Sequence, residues 1–485
     1  MKREYLPLES LPAWLKLNGI VTNGISFGKI GSVDKDTDKG NAIVATRDLA
    51  SVDSDASPAI LLQVPPDLVL SLDAVHDYAK SDQSLREVLE AVGAIMIFLL
   101  LQITHSCPQT RPRIGVSSPW TEYIKFLPPS FPLPTSYSPE EAELLRGTSL
   151  ATAVEAKALS LEREFDYLRE ATDGIAWCQR CWWAEDMGQL SLADWKYIDA
   201  AYRSRMVDLP GSGHAMVPCI DMANHAPEPA VKALYDTDAS GNAVLQLRWN
   251  KRLCAGDEVT ISYGDDKPAS EMIFSYGFLE SDRSEAKQVL LDMDMPDDDP
   301  LGVAKKMVCQ ETPGIRVSAS DAEYDDVTTE KSNQITWDGP LVWWASVNEE
   351  DGLLIGVVQT TDGTQELETK WKGEKIQSPN HLRDLLAKDP LWNIFQLRAV
   401  VLVLERLETQ MSLLQETDEV LSNMREKNPS LLDLMFRPDI FSLTARLRNL
   451  ETALLQRARN DLMESESVTS YLTQQSQPDE VEDFS

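Results

Sequence analysis

The hydrophobic positions of this 485-residue chain change their spacing several times along its length, and each spacing predicts a different kind of element. Near the start, Ile43–Thr46 and Ile60–Val64 are short runs of β-branched and aliphatic residues, which suit strands. A strongly apolar helix is predicted over 80–104, and the proline-rich passage after it would prevent the helix from continuing. The sequence therefore predicts strands first and helices next.

Helical and alternating patterns follow one another in the rest of the chain. Between about 138 and 205, apolar residues recur every three or four positions, as in an amphipathic helix: Leu150, Val154, Ala158, Leu161, Phe165 and Leu168. Alternation over 215–263 predicts strands at Leu245–Trp249 and Val259–Tyr263, separated by a turn at 255–257. Helical spacing returns over 381–465 in two stripes: Leu397, Val400, Leu404, Leu407, Met411 and Leu414, then Leu443, Leu447, Leu450 and Leu454.

The segment between the strands and the last helices is weakly patterned. Asp292, Asp294 and 297–299 indicate an acidic linker, and a hairpin is predicted over Leu353–Trp371 with Asp362-Gly363 at its tip. The polar, acidic tail over 466–485 predicts disorder. The pattern as a whole predicts an α+β protein in which a β unit is split by a helical insert and followed by a helical C-terminal region.

The charge balance restricts the partners that this chain can have. Lys and Arg number 45 against 78 Asp and Glu, so the formal net charge is −33. Binding to nucleic acid needs a basic surface, so we expect no nucleic-acid partner. The same charge favours a basic protein partner.

The composition also bears on compartment and metal content. The longest apolar run, Ala91–Leu101, has eleven residues, whereas spanning a membrane needs about 20. The N-terminus has no apolar signal core, and six cysteines are too few for a disulfide-rich secreted chain. We therefore expect a monomeric cytoplasmic or nuclear protein that is not bound to a membrane. Cys178 and Cys181 form a lone C-x-x-C that lacks two further zinc ligands, so buried packing is the interpretation and no metal is expected.

Polar hydrogen-bonding groups gather between residues 217 and 278. The segment 217–225 places Asp221, Asn224 and His225 together, in a chain with only five histidines. Tyr263 is followed at once by a glycine, and Tyr276-Gly277-Phe278 comes shortly after. Any one of these elements is explained by a turn or by core packing, whereas the ordered set is harder to explain in that way.

The ordered motifs DMANH, GDEVTISYG and YGF resemble the SET domain of protein methyltransferases. The closer similarity is to the subgroup of Rubisco large-subunit lysine methyltransferase and the fungal ribosomal-protein lysine methyltransferases. GNAIVATRDL at 40–49 looks like the opening SET strand, 118–150 is similar to the insert's Trp/Tyr/Leu-Pro passage, and Ser204-Arg205 resembles the pair ahead of the Asn-His segment.

The resemblance implies a SET-domain β fold with a pseudoknot, in which the C-terminal segment passes under a loop and packs the Asn-His segment against the tyrosine segment. It also implies a helical insert and a helical C-terminal substrate-binding domain. The boundaries predicted on this basis are 12–75 and 204–281 for the two parts of the SET domain, 76–203 for the insert, 282–380 for the linker, 381–465 for the C-terminal domain and 466–485 for the tail.

The resemblance further implies S-adenosylmethionine (AdoMet) as cofactor and assigns roles to individual residues. Tyr263 would be catalytic, its hydroxyl orienting the acceptor nitrogen and supporting the methyl group through weak CH···O contacts. Asn224 and His225 would hold the amino-acid and adenine portions of the cofactor. The complete set of cofactor-binding residues implied in this way is Asn41, Arg205, Asn224, His225, Tyr276 and Phe278. Asp221 is interpreted as a structural carboxylate rather than a catalytic acid.

Two classes of function remain open from the sequence. The first is an AdoMet-dependent protein-lysine N-methyltransferase acting on a non-histone, basic protein such as a ribosomal protein, with histidine as an alternative acceptor. The second is a catalytically silent SET-like binding module. Ala42, where the opening motif usually has glycine, and Pro268-Ala269 after the tyrosine motif favour that second reading.

Overall fold

The chain divides into two compact units in the computed structural model. The first unit comprises Met1–Ser138, Thr152–Lys267 and Glu271–Ser281, and the second comprises Pro139–Ala151, Pro268–Ser270 and Asp282–Ser485. The structure describes residues 1, 3–29, 40–50, 59–91, 95–108, 116–184, 190–264, 266–309, 314–320, 334–359 and 365–464. Helices and sheets occur together, which confirms the predicted α+β class, whereas the domain boundaries stay a prediction.

The first unit is built on small antiparallel sheets. Its strands are β1 (Val21–Thr22), β2 (Ile25–Lys29), β3 (Asn41–Ala45), β4 (Leu49–Ala50), β5 (Ile60–Val64), β6 (Met206–Leu209), β7 (Gly213–Met216), β8 (Ala233–Thr237), β9 (Ala243–Leu247) and β10 (Arg252–Leu253). The largest sheet has the order β1-β5-β9-β8, and β2-β3, β4-β10 and β6-β7 form pairs. Strands from both sides of the helical insert therefore share sheets, since β5 pairs with β9 and β4 with β10.

The helices up to residue 276 include the predicted insert. They are α1 (Leu11–Leu17), α2 (Leu72–Ser81), α3 (Gln83–Ala91), α4 (Ile95–Ser106), α5 (Pro119–Tyr123), α6 (Pro139–Glu143), α7 (Ser149–Thr172), α8 (Ala176–Cys178), α9 (Leu192–Arg205) and α10 (Ala269–Tyr276). The single helix predicted over 80–104 is divided at Asp82, which is extended and accepts the backbone N–H groups of Ser84 and Leu85 at 2.9 and 3.2 Å. A side chain in that position starts a new helix because it satisfies otherwise unpaired N–H groups.

The second unit contains more regular structure than its sequence predicts. Its elements from residue 288 onward are β11 (Gln288–Asp292), α11 (Gly302–Val308), β12 (Gly314–Ser320), β13 (Gln334–Asp338), α12 (Pro340–Ala345), β14 (Leu353–Gln359), β15 (Gln365–Trp371), β16 (Glu374–Lys375), α13 (His381–Leu386), α14 (Trp392–Lys427), α15 (Pro429–Met435) and α16 (Pro438–Met463). The strands form two three-stranded antiparallel sheets, β11-β12-β13 and β14-β15-β16.

The described residues of the segment predicted as an acidic linker thus form strands and helices. Part of the reason is that one of its aspartates has a buried partner: the fully buried Lys305 ammonium donates to Asp299 at 2.5 Å and to the Val347 carbonyl at 2.7 Å. Strands β14 and β15 pair where the hairpin was predicted, while its predicted tip, Asp362-Gly363, and the tail over 466–485 lie outside the described residues.

The long helices α14 and α16 bury only part of the predicted stripes, together with polar residues that the stripes did not include. Four stripe positions are only half-buried: Leu397, Leu404, Met411 and Leu443. On α14, Val400, Leu407 and Leu414 are buried, and Gln410 and Thr417 continue the buried face by donating to the carbonyls of Gly147 and Arg146. No helix among the described residues combines the length and the apolar character that crossing a membrane requires.

Candidate active site

The Asn-His segment lies directly beside the segment that leads to Tyr263. The backbone N–H of Ile261 donates to the carbonyl of Asn224 at 3.0 Å, and the N–H of Ala226 donates to the carbonyl of Ile261 at 3.0 Å. His225 and Ile261 thereby form an isolated parallel bridge. Two motifs that are separated along the sequence are therefore hydrogen-bonded to each other.

The segment that leads to Tyr263 also pairs with β3, through residues that precede Ile261. The N–H of Val259 donates to the carbonyl of Ile43 at 2.8 Å, and the N–H of Ala45 donates to the carbonyl of Asp257 at 2.9 Å. The strand predicted over Val259–Tyr263 is consequently not a regular one, because successive residues bond to two different partners rather than to one neighbouring strand. The turn predicted at 255–257 is present, with Gly256 at a φ of +93°.

Tyr263 is held at both its backbone and its hydroxyl by the Asn-His segment. Its N–H donates to Nδ1 of His225 at 3.0 Å, and its hydroxyl donates to the carbonyl of Ala223 at 2.8 Å. The ring is fixed between these two points.

Four predicted site residues form one aromatic cluster, which we define as His225, Tyr263, Tyr276 and Phe278. The centroid of the Tyr263 ring lies 4.5 Å from that of Tyr276, 5.2 Å from that of His225 and 6.3 Å from that of Phe278. Such separations are typical of interacting aromatic rings. Tyr263, Tyr276 and Phe278 are each only partly buried, so the cluster offers ring faces to a ligand.

The environment keeps both phenols in the protonated form. Burial, the largest cause, raises the pKa of Tyr263 well above its usual value, and Arg205 opposes that effect only in part. Burial, followed by the nearby charge of Glu271, raises the pKa of Tyr276 to about 12. At neutral pH the two hydroxyls are therefore donors, and neither phenolate is available as a general base.

Arg205 is held by Asp221, which also binds a tyrosine that the sequence analysis did not single out. Nη1 of Arg205 lies 2.9 Å from Oδ2 of Asp221 and 3.0 Å from its backbone carbonyl oxygen. The other carboxylate oxygen accepts the hydroxyl of Tyr123, which in turn accepts the N–H of Cys219 at 2.8 Å. Asp221 thus links Arg205 to Tyr123, and its interpretation as a structural carboxylate stays a prediction. Tyr123 was missed because it lies 98 residues away and no local spacing relates the two.

The polar groups around the aromatic cluster fit a ligand with the chemistry of AdoMet, which carries an adenine ring and a charged amino-acid group. Nε of Arg205 is buried without a hydrogen-bond partner and can donate to a carboxylate. Asn224 donates through Nδ2 to Glu258 at 2.7 Å, while its amide oxygen accepts no hydrogen bond from the described part of the chain. Arg205, Asn224 and the partly exposed rings would therefore hold such a ligand.

Asn41, a further predicted site residue, lies at the start of β3 and is not a member of the aromatic cluster. It begins β3 opposite Lys29, two residues before Ile43. Within the described ranges, no hydrogen bond or ring contact joins its side chain to the other site residues. Its predicted contact with a cofactor stays a prediction.

The C-x-x-C cysteines lie in the hydrophobic core of the first unit. Cys178 and Cys181 are 0% and 1% exposed. Trp177 and Trp182 belong to the same core, and the centroids of their rings lie 4.7 Å apart. Across the residues with a described placement, no group of His, Cys, Asp and Glu has the arrangement of a metal site.

Solved structures and named proteins resemble this chain along most of its length. The SET domain of LSMT, solved with methyllysine and AdoHcy bound, superposes with a TM-score of 0.62 at 18% identity, over 95% of this chain and 92% of that one. This chain has a SET-domain fold. SET domain-containing protein 8 of Schizosaccharomyces pombe is 25% identical over 398 residues, which are 80% of this chain and 84% of that protein.

A second named protein resembles a shorter part of the chain. The chloroplastic [fructose-bisphosphate aldolase]-lysine N-methyltransferase of Arabidopsis thaliana is 24% identical over 302 residues, 59% of this chain and 55% of that protein. No protein-family model matches the chain. The resemblance to SET-domain protein methyltransferases expected from the DMANH, GDEVTISYG and YGF motifs is confirmed.

Proposed function

We propose that this SET-domain protein transfers a methyl group from AdoMet to a lysine side chain of a non-histone protein. The observation that carries the proposal is the double attachment of Tyr263 to the Asn-His segment, through its N–H to His225 and its hydroxyl to Ala223. The segment predicted to bind the cofactor and the tyrosine predicted to be catalytic are therefore hydrogen-bonded to each other.

AdoMet supplies an electrophilic methyl group on a sulfonium, and displacement of that group is in line. Positioning of the acceptor nitrogen consequently supplies much of the rate enhancement. The carbonyl of Ala223 orients the Tyr263 hydroxyl, whose oxygen retains lone-pair capacity toward a polarised C–H or N–H group.

The acceptor lysine must be neutral to react, and its ordinary pKa is about 10.4. The partly buried rings of Tyr263 and Tyr276 form an apolar wall, which would disfavour the ammonium form and lower that pKa. No side chain in the cluster needs to act as a base, in agreement with the protonated state of both phenols.

The partner is proposed to be a protein with a basic surface. The net charge of −33 favours association with such a surface and opposes contact with a nucleic-acid backbone. The related protein from Arabidopsis is named for a lysine of an enzyme rather than of a histone. A cytoplasmic or nuclear location and a monomeric state accompany this proposal as predictions.

The experiment combines AdoMet titration by calorimetry with transfer of labelled methyl groups to a cell extract. Tyr263→Phe should bind AdoMet within about threefold of the wild type and transfer roughly a hundredfold more slowly, as expected when one aligned hydroxyl is lost. Tyr78→Phe is the matched control, because its hydroxyl also donates to a backbone carbonyl, that of Asp67 at 2.9 Å, outside the cluster.

Four outcomes would decide between the alternatives. A discrete labelled protein whose modified residue is mapped to lysine by mass spectrometry supports the proposal, whereas mapping to histidine changes the acceptor. AdoMet binding without any labelled band would favour the silent binding module. Absence of AdoMet binding would contradict both the cofactor and the activity.

A further inference from the structure

His225 lies between two partners in the first unit. Its Nδ1 accepts the backbone N–H of Tyr263 at 3.0 Å, and its Nε2 lies 3.3 Å from Oε1 of Glu280. Glu280 follows the YGF motif by two residues and was not among the residues singled out from the sequence.

The two contacts together determine which ring nitrogen carries the proton. A nitrogen that accepts an N–H group must present a lone pair, so Nδ1 of His225 is unprotonated. The proton of the neutral ring is then on Nε2, directed at the carboxylate oxygen of Glu280. The opposite tautomer would place the Nδ1 proton against the N–H of Tyr263 and leave Nε2 without a proton to give.

The contact is sheltered from water. The side chain of His225 is 1% exposed and that of Glu280 is 9% exposed. A hydrogen bond to a carboxylate is stronger than a neutral one, and water cannot readily replace it at a buried site. Glu280 therefore has both the position and the charge to select one tautomer.

We propose that Glu280 is a positioning residue that holds His225 in the Nε2–H tautomer and thereby fixes the backbone of Tyr263. Its effect on methyl transfer rests on the proposed function, whereas its effect on the tautomer does not. Glu280, which follows the YGF motif by two residues, in this way connects that part of the chain to the Asn-His segment.

The first measurement is independent of activity. Nitrogen-15 NMR of histidine-labelled protein, with the His225 signals identified through a His225→Asn variant among five histidines, reports the tautomer directly. Wild type and Glu280→Gln should both show Nε2–H, because the glutamine oxygen can accept the same proton. Glu280→Ala should show a mixture of tautomers and a shifted Tyr263 amide signal. An Nδ1–H ring in the wild type would overturn the proposal.

The second measurement separates positioning from general stability. Glu280→Ala should lower kcat for methyl transfer about ten- to a hundredfold and change the AdoMet dissociation constant by less than about threefold, with Glu280→Gln restoring most of the rate. Asp77→Ala is the control, since it removes an exposed carboxylate that pairs with the equally exposed Lys80 at 2.6 Å. Equal losses in Glu280→Gln and Glu280→Ala would overturn the positioning role. Absence of transfer in the wild type would contradict the proposed function, and the NMR result alone would then test whether Glu280 sets the His225 tautomer.

Discussion

Replacing Glu451 by glutamine should remove a pH dependence of stability that this carboxyl imposes on the second unit. The Glu451 side chain is fully buried on α16 and accepts the backbone N–H of Ser149 at 2.8 Å and its hydroxyl at 2.6 Å. Burial raises the pKa of Glu451 from 4.5 to about 7, and the two hydrogen bonds from Ser149, which favour the ionised form, offset only part of that effect.

The sign and size of the effect follow from proton linkage. Between pH 4.5 and 7 the folded state binds more protons at Glu451 than the unfolded state does, so stability falls as the pH rises through this window. Raising the pKa of this group from 4.5 to about 7 corresponds to about 3 kcal/mol in total, of which about 2.5 kcal/mol falls between pH 5 and pH 8. Glutamine cannot ionise and should abolish this contribution.

Urea unfolding followed by tryptophan fluorescence at pH 5 and pH 8 measures the difference. The loss of unfolding free energy between the two pH values should be smaller in Glu451→Gln than in the wild type by about 2.5 kcal/mol. Asn449→Ala, an exposed neutral position on the same helix, should behave as the wild type does. The same pH difference in the wild type and in Glu451→Gln would refute the reasoning that burial sets the proton affinity here.

Two further predictions concern the first unit. Asp221→Leu should lower the free energy of unfolding by about 3 to 5 kcal/mol in urea titrations, because it leaves the largely buried guanidinium of Arg205 without its counter-charge. Asp221→Asn, which keeps an acceptor oxygen, should lower it less. A loss below about 1 kcal/mol for Asp221→Leu would contradict the role of the ion pair. Gly277→Ala should destabilise by about 2 kcal/mol more than Gly256→Ala in thermal unfolding, since both glycines have positive φ but an added Cβ at 277 would lie 2.7 Å from the Pro132 carbonyl oxygen, while the space at 256 is open. Equal destabilisation by Gly277→Ala and Gly256→Ala would show that the close approach to Pro132 is relieved without a loss of stability.

The sequence predicted the elements whose signal is local. The repeat of apolar residues at three- and four-residue steps predicted α7, and the two stripes in the last part of the chain predicted α14 and α16. The aromatic cluster could be predicted because His225, Tyr263, Tyr276 and Phe278 belong to motifs with a fixed order. Each of these signals is contained in a short stretch of chain or in a recurring family pattern.

The parts that escaped prediction depend on specific polar partners, most of them distant in sequence. Lys305 is buried because Asp299 and the Val347 carbonyl meet it in the fold, and an acidic run in the sequence does not reveal which aspartate is paired. Tyr123 joins Asp221 across 98 residues, and Glu280 reaches His225 across 55. Hydrophobic periodicity says nothing about such pairs, because it reports only which side of an element is buried.

The register of one isolated bridge explains why the predicted catalytic tyrosine reaches its position. Ile261 pairs with His225 in parallel, and Tyr263 follows two residues later. The bridge aligns the two segments, so the backbone N–H of Tyr263 lies 3.0 Å from Nδ1 of His225. A shift of one residue, about 3.3 Å along the chain, would break both hydrogen bonds of Tyr263, to His225 and to the Ala223 carbonyl. Val259, Thr260 and Ile261 are all buried, so the close packing of three consecutive side chains opposes that shift. The packing of these neighbours therefore sets the position of the hydroxyl to which we assign the chemistry.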